Sequence, residues 1–109
     1  MHKEIIPIKD IDHFLDDEQY PSDEFIDAIA HCKPEDYNFM LEKIEQHWRF
    51  ANYFTKKKDE EGVIRIEMIT GGWSGNESII KALRKNSAWW ACFWELSTRG
   101  GRHCFEIYE

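Results

Sequence analysis

Apolar spacing divides the chain into two halves. Tyr37, Met40, Leu41, Ile44 and Trp48 recur at i, i+3, i+4, i+7 and i+11, which is one buried helical face. Pro34 suits the first position of that helix, and Glu35 and Asp36 follow where the helix dipole favours acids. Ahead of it, Phe25, Ile26 and Ile29 form a shorter stripe that runs to about Cys32. Ser22 is a good N-cap for this helix, because its hydroxyl can accept from a free backbone N–H of the first turn. Residues 1–21 read as an extended lead-in, with a short helical turn around Ile11 to Leu15.

From residue 49 the period changes. Phe50 to Thr55 reads as a strand, and 56–62 as a charged turn ending in Gly62. Val63 to Thr70 alternates, with Ile64, Ile66 and Met68 on one face and Arg65 and Glu67 on the other, as a half-buried strand does. A glycine-rich loop follows at 71–76. Ser74 and Glu77 stand at capping-box spacing, so a helix is expected to open there. Ile79, Ile80 and Leu83 are its buried stripe, and Asn86 is its stop.

Trp89 to Leu96 is apolar on both faces and reads as a central strand covered on two sides. Trp89, Phe93 and Leu96 also fit a helical stripe. Gly100-Gly101 reads as a hairpin turn, after which Phe105 and Ile107 face the core. The expected fold is α+β, with two N-terminal helices followed by a β-β-α-β-β unit and a four-stranded, mainly antiparallel sheet. Residues 1–109 make one domain, with an acidic helical part at 1–47 and a sheet part at 48–109.

Charge sharpens this division. Residues 1–47 hold 13 acids and 4 bases, a net of −9, whereas 48–109 hold 8 acids and 10 bases, a net of +2. A chain of net charge −7 is a poor candidate for nucleic acid or an anionic membrane, whose phosphates call for Lys and Arg. Its acidic half suits a basic protein partner, through electrostatic steering. No apolar run is long enough to span a bilayer and no signal peptide is expected. Cys32, Cys92 and Cys104 lack CxxC spacing, so buried free thiols in a reducing cytosol are expected.

The segment Thr70-Gly71-Gly72-Trp73-Ser74-Gly75-Asn76-Glu77 is the most unusual in the chain. It is either a tight strand-to-helix turn or a recognition loop with Trp73 and Asn76 partly exposed, its free N–H groups suited to an anion. Ser74 is one residue short of a nucleophile elbow. His103 would have to serve as its base, oriented by Glu67, Glu95 or Glu106, and the capping role is preferred. His2, His13, His31, His47 and His103 form no metal-binding pair, and no cofactor motif is present. The turn around Arg99, Arg102 and His103 reads first as a solvated turn, and its other reading is a small basic patch with Arg84 and Lys85. The candidate binding residues are therefore Trp73, Ser74, Asn76, Glu77, Arg99, Arg102 and His103.

The run Gly71-Gly72-Trp73-Ser74-Gly75-Asn76-Glu77, then Ile79-Ile80, Ala82-Leu83, Trp90 and Trp94, and finally Gly100-Gly101 with Phe105-Glu106-Ile107, resembles a set of small uncharacterised proteins of bacteriophages and prophages. The likeness covers residues 63–108 and departs from the pattern at Cys104, where an aromatic is common. It implies a phage or mobile-element setting and the host cytosol, and it assigns no catalytic residue. The expected function is non-enzymatic binding of a protein partner, as an inhibitor, an immunity-type protein or an accessory factor. A small-ligand or enzymatic site at 71–77 is the alternative, and nucleic-acid binding through the C-terminal half ranks after both. Trp-rich strands also suit a homodimer interface.

Overall fold

A computed structural model describes residues 5–108; the first four residues of the lead-in, His2 among them, lie outside the described residues, as does Glu109. The described residues fold as an α+β domain with four α-helices and one four-stranded antiparallel sheet. The helices are α1 (Asp23–Ala30), α2 (Tyr37–His47), α3 (Ser74–Lys85) and α4 (Ser87–Phe93). The strands are β1 (Phe54–Lys58), β2 (Val63–Ile69), β3 (Trp94–Thr98) and β4 (Arg102–Tyr108). Their spatial order is β1-β2-β4-β3. The order of elements is thus β-β-α-α-β-β after the first two helices, one helix more than the pattern predicts.

The N-terminal half follows its periodicity. Ser22 Oγ accepts from the Phe25 amide at 3.1 Å and caps α1, whose Phe25 and Ile29 are fully buried. Pro34 opens a 3-10 turn that runs into α2, and Met40, Leu41, Ile44 and Trp48 enter the core while Tyr37 stays half-buried. The lead-in differs from expectation. Its helical turn falls at Ile8–Asp10, and Leu15 instead pairs with Pro21 across a tight loop at 16–20.

Ile66 and Met68 of β2 and Phe105 and Ile107 of β4 are buried under the helices, as their alternation predicts. The β1 strand begins later than expected. Residues 51–53 form a 3-10 turn, because Phe50 just before them takes a left-handed conformation. Lys56, Lys57 and Lys58 therefore lie in the strand along an outer edge of the sheet, and the turn contracts to 59–62. Asp59 closes that turn by accepting from the amides of Glu61 and Val63.

The expected central strand at 89–96 is instead helix α4 followed by edge strand β3. An apolar run without a polar face has no period to read, so local caps decide it. Asn86 ends α3 and also starts α4, accepting from the Trp89 amide at 3.3 Å. Its amide nitrogen donates to the carbonyls of Ile29 and Cys32, both at 3.0 Å, which fixes α3 and α4 to the end of α1. Trp89 is then fully buried against Phe105, with ring centroids 4.9 Å apart. The middle position in the sheet falls to β4. The helical turn also carries Cys92 to the surface, against the expectation of a buried thiol. Cys32 is buried, and burial pushes its thiol up to about 11; Cys104 is half-buried on the open face of the sheet.

Candidate functional site

The glycine-rich loop joins β2 to α3. Trp73, not Ser74, occupies the N-cap position, and no side chain caps the helix there. Ser74 is the first helical residue, exposed, and its carbonyl accepts from the Ser78 hydroxyl. The polar group that organises the loop is Asn76, which is fully buried rather than exposed. Its carbonyl oxygen accepts from the Arg49 amide at 3.1 Å, and its nitrogen donates to the carbonyls of Arg49 and Thr70. A buried amide left without these partners costs about 1–3 kcal/mol per group, so Asn76 holds the segment after α2 to the loop after β2.

That tie gathers aromatic side chains from three separate stretches. The Trp73 ring lies flat over Gly75, so closely that a Cβ there would meet it at 2.4 Å. The Arg49 guanidinium sits 4.8 Å from the Trp73 ring centre, and the Tyr20 ring packs beside it at 5.0 Å. Phe50 and Tyr53, 5.6 Å apart, lie against Gly71, where a Cβ would meet both rings at 2.9 Å. Phe50, Tyr53 and Tyr20 remain 48%, 41% and 36% exposed. The glycines at 71 and 75 therefore let large rings lie down on the backbone.

Backbone strain is concentrated at this surface. Among the described residues only Gln19 and Phe50 have positive φ without being glycine, at 67° and 66°. One precedes Tyr20 and the other is itself a patch residue. A bulky side chain in the left-handed region costs about 1–2 kcal/mol. Arg49 makes no ion pair among the described residues, so its fork stays available above the Trp73 ring. Asp17 and Glu18 are exposed beside Tyr20, and Asp16 accepts from the amides of Glu18 and Tyr20 to shape their turn.

The other candidate residues disperse. Arg99 is exposed in the turn between β3 and β4. Arg102 faces the open side of the sheet and donates to Glu67 at 2.8 Å, next to the pair formed by Arg65 and Glu106. Such exposed pairs are screened by water and add little to stability. His103 points the opposite way, toward α3, and shares a cleft with Glu77. No hydrogen bond joins His103 to Ser74. Its hydroxyl partner is Ser97, at 2.7 Å from Nδ1. Burial, and then the Arg84 charge, hold the His103 ring below its ordinary pKa.

Sequence reading thus missed Tyr20, Arg49, Phe50 and Tyr53. The aromatic run at 50–54 was visible, but it reads as a strand. Nothing in the residues themselves places Tyr20 beside Trp73. No group of three or more His, Cys, Asp or Glu gathers to hold a metal ion among the described residues. Among those residues no helix is long and apolar enough to cross a membrane. No family model, curated protein or solved structure matches the chain.

Proposed function

We propose that the protein is a non-enzymatic binder of a protein partner, acting in a phage or mobile-element setting in the bacterial cytosol. Its contact surface is the aromatic patch around Trp73. One observation carries this reading: exposed Tyr20 meets the Trp73 ring together with Arg49, which makes no ion pair among the described residues, exposed Phe50 and Tyr53 pack on the neighbouring Gly71, and left-handed backbone occurs at Gln19 and Phe50. Trp, Tyr and Arg dominate the binding energy of protein interfaces because they bury large areas at small entropic cost. Strain of this kind persists where the surroundings impose it, and it clusters at functional surfaces.

The acidic half gives the patch its electrostatic setting. Asp17 and Glu18 adjoin Tyr20, and residues 1–47 carry a net −9. A partner with a basic surface is steered toward this side, which raises the association rate more than the affinity. This attraction weakens as salt screens it.

The test is affinity capture from bacterial lysate with the wild-type chain and with Arg49→Gln/Tyr53→Ser. Both side chains are exposed, so the variant keeps the fold. One protein recovered stoichiometrically by the wild type and lost with the variant supports the reading. Equal recovery by both moves the contact away from the patch. Recovery of no protein overturns partner binding.

A further inference from the structure

A second site lies on the other side of the loop, independent of the aromatic patch. Between α3 and the turn joining β3 to β4 is a shallow cleft of about 280 Å³. Glu77, Lys81 and Arg84 line it from α3 at i, i+4 and i+7, which is one helical face. His103 lines it from β4, and Thr70 and Gly101 lie between them. Lys81 and Arg84 form no ion pair among the described residues, and both are exposed. Arg84 also lies 5.0 Å from the ring centre of Trp90, which stacks on Trp94.

Each remaining group is set by its neighbours. Trp94 Nε1 donates to Ser97 Oγ at 2.9 Å. We assign the Ser97 proton to the bond with His103 Nδ1, which leaves the ring proton on Nε2 as a free donor. The Thr70 amide donates to the Gly101 carbonyl at 3.0 Å, bringing the two loops together. Gly101 has φ 78°, and a Cβ on it would fall 2.1 Å from Thr70 Oγ1, so only glycine leaves this floor intact. Thr70 is 2% exposed, and its hydroxyl has no hydrogen-bond partner among the described residues. That hydroxyl is shut in against Gly101, so the polar side chains open to the cleft are Glu77, Lys81, Arg84 and His103.

We propose that this cleft binds a small ligand through an oxyanion, a phosphoryl or carboxylate group held by Lys81, Arg84 and His103. Arginine and lysine supply charge-assisted donors, and Nε2–H adds a directed one. Glu77, at the end opposite Arg84, accepts from a hydroxyl or ammonium on the body of the ligand. The volume admits a ligand of metabolite size rather than a polymer.

The experiment follows the His103 ring by NMR in the intact protein, adding inorganic phosphate or acetate against chloride at matched ionic strength. A bound anion favours the imidazolium, so the His103 pKa rises from its depressed value, and the Thr70 and Gly101 amides shift along the same saturable curve. Arg84→Gln weakens the apparent affinity about tenfold, the loss of one charge-assisted bond. Lys81→Gln, at an exposed position, weakens it as well by removing the second charge-assisted donor. Saturation by phosphate alone assigns a phosphoryl ligand, and saturation by acetate as well assigns a carboxylate. Equal shifts in chloride, or binding indifferent to Arg84→Gln and Lys81→Gln, overturn the proposal.

Discussion

The two ends of α3 are held by the same chemistry put to different use. Asn76 in its first turn and Asn86 at its end are both buried, and each makes three hydrogen bonds through its side-chain amide. The partners of Asn86 are the carbonyls that end α1 and the amide that starts α4, all inside the helical layer. The partners of Asn76 belong to the chain on either side of an exposed aromatic surface. One end of the helix is therefore a joint of the core, and the other is a support for something outward-facing. The contrast teaches that a buried asparagine signals a fixed crossing of chain segments, and only its surroundings say whether that crossing serves stability or presentation.

Breaking the inner joint has the largest effect. Asn86→Ala strands two buried carbonyls and removes the cap of α4, and it lowers unfolding free energy by about 4 kcal/mol in urea titration. A loss below about 1 kcal/mol would show that α1 and α4 hold without it. Asn76→Ala costs about 3 kcal/mol by the same measure. Its distinguishing result is local: faster amide exchange at Arg49 and a changed near-ultraviolet signal from Trp73. If exchange rises equally throughout the chain, the outer end is as much a part of the core as the inner one.

The smallest effect has the opposite sign. Phe50→Asn relieves the left-handed strain, since asparagine tolerates that region, and it raises stability by about 1 kcal/mol while weakening partner capture. A stability loss instead would mean that the Phe50 ring contributes more through its contacts with Gly71 and Tyr53 than the strain costs.

Much of this architecture is legible in the residues because periodicity and caps agree. The α2 stripe, the β2 alternation, the Ser22 cap and the Gly100-Gly101 turn all appear where the pattern puts them. The run from Trp89 to Leu96 does not, because a stretch without a polar face fits helix and strand alike, and a single asparagine before it settles the matter. The glycine-rich loop is harder still. Asn76 in a glycine-rich segment looks like an exposed reader, yet its bonds are spent on backbone 27 residues away. Phe50 carries no mark of its left-handed backbone, and its ring lies on a glycine 21 residues away in the chain.

The outer edge of β1 bears on how the molecule behaves when crowded. A strand at the border of a sheet offers unpaired backbone groups to any passing chain, the usual start of fibrous aggregation. Here three consecutive lysines occupy that border, and a second copy docking there would bring its own row of like charge alongside. At the opposite border, the register shift between Trp94 and Leu96 breaks the straight run of groups that a copy would need. The consequence is colloidal: neither border of the sheet invites a second copy to extend it.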